Sequence, residues 1–411
     1  MNNKFNITVS GSATVKFSLN GRLDSSTAHN FLNVVMSNFA DKSDKHDKQD
    51  QDIVIVLDCR ELVYISSAGL RAMLTIKKRI NSEMILINLS PEVYEIFEVT
   101  GFAQIFNISQ VKESALNSEE VKELDHIDGE IIGQTGGITI YNTKSDQLIK
   151  LYPENTKLED LEKELNYTKI AFLSGIPTLI SYYVVRFHER YGLVYEMPNA
   201  KTVASIIKIQ DWNLGNYAKA MGLVLRQMHS SVIEDGNIFP KTKSLYAEYL
   251  KRVSSYYRPE EVAILDKIIN TIPEKNSFIY GNYHAGNVFI QNNEIILLNM
   301  SGVSLGNPIF DLAKSYMIYV SEAEIFAKSL MNIAPDRARM FLHFMLSAYF
   351  NSESITPQER IIKKAADLCT ALLPGMWKFS PEQTQKFVAN ARANIFKNSE
   401  EYITTLSQVI F

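Results

Sequence analysis

The chain has little of what builds a covalent or membrane-anchored framework. Its 411 residues include two cysteines, Cys59 and Cys369, too few for a disulfide scaffold or, between them, a zinc site. No run approaches the roughly 18 apolar residues of a membrane span. The most core-like run, Ile53 to Leu57, is only a strand's length. The start, Met1-Asn2-Asn3-Lys4-Phe5, lacks an apolar signal segment, so a reducing cytoplasm is the expected location. Neither sign of charge dominates, with 42 basic against 46 acidic side chains and a net charge of −4. No basic domain emerges on either side of residue 112, which argues against a general nucleic-acid footprint. The run Asp41 to Asp52 alternates in sign and reads as a solvated loop.

What is present is core-forming material. An apolar share of 46% with balanced charge excludes a disordered chain, and the length predicts two or three domains. Over the first 110 residues, strands alternate with helices. Thr14 to Leu19 alternates with Val15, Phe17 and Leu19 on one face, and Asn20-Gly21 reads as a turn. Ala28, Phe31, Leu32, Val35 and Met36 follow a helical period, and Ile53–Leu57 and Met84–Ile87 read as buried strands. Ser90 and Pro91 mark a helix start, and Gly101 fits its C-terminal cap. Such alternation predicts an α/β domain, a mixed sheet with packed helices, over residues 1–112.

Residues 113–126 are polar and read as a linker. From Ile127 the chain is strand-rich, and from Trp212 it turns helical, with Leu214, Tyr217, Ala218, Met221, Val224, Leu225 and Met228 on one face. The remainder therefore predicts an α+β domain over 127–411, with a small lobe over 127–198 and a helical lobe over 199–411.

Two segments carry candidate chemistry. In Tyr64-Ile-Ser66-Ser67-Ala-Gly69-Leu70-Arg71, a serine pair opens the helix Leu70 to Ile80, where unpaired N–H groups and the positive dipole end point outward. One serine could be a plain N-cap; alternatively, a phosphate there would act as a switch by adding negative charge. The second segment is Tyr280-Gly281-Asn282-Tyr283-His284-Ala-Gly-Asn287, followed by Asn299-Met-Ser301 and Asp311-Leu-Ala313. Asp311 is expected to tie down the loop, His284 to hold backbone geometry, and His229 to satisfy the end of its helix. Phe341, Phe344, Met345 and Ala348 recur at helical spacing and read as core.

Leu19-Asn-Gly-Arg-Leu-Asp24, the strand ending in Asp58, the serine segment and Ile96-Phe-Glu-Val-Thr-Gly-Phe102 together resemble the STAS domain of anti-sigma-factor antagonists. The resemblance implies binding of an anti-sigma-factor-like or other signalling protein through Ser66, Ser67 and Arg71. It also implies control by phosphorylation, with Ser67 in the acceptor column. The aspartate that usually precedes the acceptor is replaced by Ser66.

Residues 127–411 resemble the aminoglycoside-phosphotransferase and choline-kinase group, of two-lobed kinase-like fold. The resemblance makes ATP, with or without Mg2+, a candidate ligand, although a degenerate site requires no cofactor. It puts Lys150 on the α/β-phosphates with Glu164 as its helix partner, Gly133 and Gly136 in the phosphate-covering loop, and Met197 at the adenine. Gly133-Gln-Thr-Gly136-Gly137 lacks the usual glycine spacing and equally fits a tight hairpin. The base column, normally aspartate, holds Asn282, an amide with no basic lone pair to offer near neutral pH. The metal-ligand columns hold Asn287, as expected, and Asn299 in place of aspartate; Ser301 replaces a further acid. The expectation is a regulatory STAS module fused to a catalytically degenerate kinase-like domain, a pseudokinase that senses nucleotide or acts as a scaffold. The alternative is an active small-molecule phosphotransferase regulated by its STAS domain.

Overall fold

A computed structural model describes residues 5–10, 14–43, 54–80, 83–111, 121–133, 137–142, 147–196, 201–231, 233, 238–291 and 294–410. The chain divides into two compact units, Met1–Asn199 and Ala200–Phe411.

The first unit opens with β1 (Asn6–Ser10), β2 (Thr14–Leu23), α1 (Ala28–Ser43), β3 (Val54–Ile65), α2 (Ser67–Arg79), β4 (Met84–Leu89), α3 (Pro91–Val99) and β5 (Asn107–Val111). The five strands form one sheet in chain order. β1 runs antiparallel to β2 and the other three pairings are parallel, a mixed sheet as expected. Alternation places Val15, Phe17 and Leu19 in the core. Ser90 caps α3 by accepting from the Val93 amide at 3.3 Å, with Pro91 in its first turn. The expected turn at Asn20-Gly21 is instead a bulged stretch inside β2, whose register with β3 shifts on both sides of these residues. Continued pairing with β3 as far as Ile65 satisfies backbone groups that a turn there would have left open.

A second sheet follows, built from β6 (Lys122–Glu123), β7 (Glu130–Gly133), β8 (Ile138–Asn142), β9 (Gln147–Leu151), β10 (Ser181–Phe187) and β11 (Arg190–Glu196), with α4 (Leu158–Leu173) between β9 and β10. Its order is β6-β10-β11-β9-β8-β7. Lys122 and Glu123 lie in the stretch that composition assigned to a linker, yet they pair in parallel with Val185 and Arg186. The two sheets of this unit share one apolar core: Ile149, Phe172, Ile180, Val185 and Val194 join the cluster around Phe97 and Phe102. The rings of Phe102 and Phe172 stand 5.6 Å apart.

The second unit contains β12 (Lys201–Thr202), α5 (Val203–Ile209), α6 (Leu214–Ser230), α7 (Thr242–Val253), α8 (Pro259–Thr271), β13 (Ser277–Ile279), β14 (Val288–Gln291), β15 (Glu294–Leu297), β16 (Ser304–Gly306), α9 (Ile309–Tyr316), α10 (Ala323–Met331), α11 (Pro335–Phe350), α12 (Thr356–Met376), α13 (Pro381–Asn394) and α14 (Ser399–Ser407). The predicted apolar face of α6 buries Leu214, Ala218, Met221, Leu225 and Met228, and α11 buries Phe341 and Met345. Among the described residues, no helix is long and apolar enough to cross a membrane.

Candidate functional site

At the start of α2, Ser66 is the N-cap, its Oγ accepting from the Gly69 amide at 3.3 Å. Gly69 lies so close to the Leu23 carbonyl that a Cβ would stand 2.6 Å from that oxygen, so the small residue is sterically required. Ser67, the first helical residue, has no solvent exposure. Its amide donates to Glu196 Oε2 at 2.7 Å, and its hydroxyl donates to Glu196 Oε1. Arg71 donates to the Thr178 carbonyl at 3.2 Å. The surface expected to meet an outside partner is therefore covered by residues at the start and end of the second sheet's β10–β11 hairpin.

Glu196 is itself buried, at 3% exposure. Burial raises its carboxyl above the usual range, while the two Ser67 hydrogen bonds and the nearby Arg71 charge favour the ionised form. The helix N-terminus adds a favourable dipole for an anion. Beside this contact is a cavity of about 330 Å³ lined in part by Arg22, Tyr64, Glu95, Lys122, Tyr182 and Tyr183. Lys122 bridges its two sides, pairing with Glu95 at 3.3 Å and lying over the Tyr183 ring at 3.8 Å.

On the same unit, Lys150 is buried on β9 and Glu164 is buried on α4. The carboxylate of Glu164 accepts from the hydroxyls of Tyr152 at 2.9 Å and Tyr195 at 3.4 Å. Lys150 Nζ lies 4.3 Å from the centre of the Tyr152 ring. Burial lowers its pKa, and the field of Glu164 works against that shift. Lysine and glutamate thus share one electrostatic neighbourhood, with the glutamate's hydrogen bonds going to tyrosine, and both are buried. Gly133 ends β7. Gly136 and Met197 lie outside the described residues.

In the second unit, Asp311 on α9 holds the loop after β13. Its two carboxylate oxygens accept from the amides of Tyr280 and Gly281, both at 2.7 Å. Gly281 has a left-handed φ of 78° and packs against the Gly302 carbonyl with no room for a Cβ, so both its conformation and its size demand glycine. Lys314, one turn further along α9, donates to the Gly281 carbonyl at 2.6 Å. His229 contacts Asp311 at 3.2 Å through Nε2 and the Tyr349 hydroxyl at 2.8 Å through Nδ1. Its role is this buried bridge rather than the expected service to its own helix end. His284 is buried and accepts from the Gly286 amide at 3.2 Å through Nδ1. Burial and the neighbouring Lys314 push its pKa down to about 4, so the ring is neutral near pH 7.

The candidate base and metal-ligand positions, Asn282, Asn287 and Asn299, carry neutral amides. Asn282 Oδ1 is buried with no hydrogen-bond partner among the described residues. Asn287 donates to the Asn282 carbonyl at 3.3 Å. Asn299 Oδ1 accepts from the Ser301 hydroxyl at 2.7 Å and from its amide at 3.4 Å. These positions do not fit a magnesium ion. They supply no negative charge, and the best-placed oxygen, that of Asn299, is already an acceptor for Ser301. Asp311, in the first turn of α9, is committed to the loop backbone.

Sequence reasoning missed Glu196 and Lys314. Both follow recognisable blocks, Leu193-Val-Tyr195 and Leu312-Ala313, but nothing local pairs Glu196 with a serine 129 positions earlier.

Residues 4–115 match the family model of the STAS domain. The Bordetella bronchiseptica protein BtrV, named as an anti-sigma factor antagonist, is 44% identical over 64 residues, 15% of this chain. The match spans about half of that relative's length, 55%. Among solved structures, a choline/ethanolamine kinase family protein from Mesorhizobium loti superposes with a TM-score of 0.46 at 13% identity, covering 69% of this chain and 93% of that one. The anti-sigma factor antagonist SpoIIAA in its unphosphorylated form superposes with a TM-score of 0.20 at 17% identity, covering 26% of this chain and 90% of that one. The chain thus carries a STAS domain over residues 4–115.

Proposed function

We propose that this chain is a regulatory protein. Its STAS domain recognises an anti-sigma-factor-like signalling protein, and its kinase-like domain senses nucleotide without transferring phosphate. The observation that carries this reading is the set Asn282, Asn287 and Asn299. Phosphoryl transfer needs a carboxylate to orient the acceptor hydroxyl and negatively charged oxygens to hold the metal. Here the loop is kept in place by Asp311, Lys314 and His229, while the positions that would do chemistry carry neutral amides. The partner class follows the name of the BtrV relative. Lys150 supports nucleotide sensing, as a cation close to the field of Glu164.

A thermal-shift titration with ATP, with and without magnesium, tests this reading. A ligand at about 100 times its dissociation constant stabilises the folded state by about 2.7 kcal/mol. The expected result is a shift of similar size in both conditions, lost in Lys150→Ala. A shift that strictly requires magnesium would overturn the degenerate reading, and no shift at all would overturn nucleotide sensing.

A further inference from the structure

The Ser67 contact bears on how the STAS surface is controlled. Ser67 is completely buried, and both of its donors go to one carboxylate, Glu196, at the end of β11. Around it the cover is extensive. Arg71 binds the Thr178 carbonyl, Lys78 reaches the Leu173 carbonyl at 3.4 Å, and Phe172 packs into the Phe97–Phe102 cluster. Lys122 meets Glu95 on the far side of the cavity. The contacts come from α2, α3 and the turn after α3, and they end on the loop before β10, the end of α4, β6 and the last residue of β11.

We infer that the second sheet of the first unit is a partner in cis: it closes the Ser66–Ser67–Arg71 surface, and Glu196 is the latch. The latch is built from charge complementarity. A carboxylate sits at the positive end of α2, accepts two hydrogen bonds from Ser67, and lies near the Arg71 guanidinium. The same position cannot hold a second anion. A negative group on Ser67 would face Glu196 within hydrogen-bonding reach, with water excluded, and like charges in such a site repel strongly. Closure in cis and negative charge on Ser67 are therefore mutually exclusive, and a partner in trans gains this surface only as the latch opens. This inference rests on the proposed STAS recognition, because it concerns the regulation of that same surface.

Hydrogen–deuterium exchange on the full-length chain tests it, comparing wild type with Glu196→Ala and Ser67→Asp. Wild type is expected to protect the amides of residues 66–72 and 178–187. Both variants are expected to exchange there at least about tenfold faster, the factor that loss of a single charge-assisted hydrogen bond gives. Peptides from residues 54–60 and 84–89 report on the inner STAS strands and should be unchanged, which separates opening from unfolding. If either variant loosens those strands as well, Glu196→Gln, which keeps the shape and one acceptor oxygen but not the charge, should give protection between wild type and Glu196→Ala, and protection equal to that of Glu196→Ala counts against the latch. Fast exchange at 66–72 in wild type, or unchanged protection in both variants, would overturn it. These outcomes do not depend on nucleotide or on phosphate transfer, so the latch can fail while the pseudokinase reading stands, and the reverse.

Discussion

Asp311 shows how much a single side chain settles in this protein. Two backbone amides and an imidazole converge on it inside the second unit, and α9 supplies Lys314 to the opposite side of the same loop. Asp311→Asn keeps the shape but removes the charge. One amide oxygen must then serve donors that had two carboxylate oxygens, leaving a buried N–H without a partner. Hydrogen bonds to charged groups are worth about 1.5–3 kcal/mol each, so the expected cost is about 3 kcal/mol, read as a lowered unfolding midpoint in urea. A change below about 0.5 kcal/mol, the size expected of an unremarkable surface substitution, would contradict this account of the loop. Asn282 stands beside this anchored backbone, its Oδ1 unpartnered.

Helices α8 and α13 are joined by a different device. Glu261, in the first turn of α8, closes a capping box with Arg258 and accepts from Arg392 of α13 at 2.9 and 3.0 Å. The Arg392 hydrogen bonds come first among the causes that hold its pKa at about 2, well below its ordinary 4.5. A carboxyl with a depressed folded pKa contributes stability that is complete above the unfolded value and lost as pH falls through the folded one. The contribution should therefore be full above pH 4.5 and decline from there toward pH 2. Urea unfolding of wild type and Glu261→Gln should converge over that window; curves that stay parallel down to pH 2 would contradict it. At this scale the sequence was most legible where the signal is local. Ser90-Pro91 announced α3 because cap and proline act within one turn, and the face of α6 followed from its period. Asn20-Gly21 misled because a dipeptide's turn preference yields to a neighbouring strand that continues to pair with it. Lys122 and Glu123 misled because a two-residue edge strand leaves no periodicity to read. The Ser67–Glu196 contact was illegible in principle, since it joins the start of a helix to the end of a strand in another sheet.

For the molecule as a whole, the STAS domain and the following sheet make one compact unit, and the loop of amides belongs to the other. The near-neutral balance of 42 basic and 46 acidic groups says nothing of this. What matters is placement: Glu196 is a carboxylate where a signalling surface was expected to be open, and Asn282 and Asn299 are amides where carboxylates were expected. Motif reading located the second of these features, because the catalytic frame is contiguous in sequence; only the fold located the first. Both placements bear on the proposed reading, in which the second unit regulates rather than transfers phosphate. The most direct measurement is γ-phosphate release or transfer from magnesium-ATP by the full-length protein, with Lys150→Ala as the control. The account predicts no turnover above the buffer rate and no difference between the two proteins. Turnover in the wild type that Lys150→Ala abolishes would contradict it.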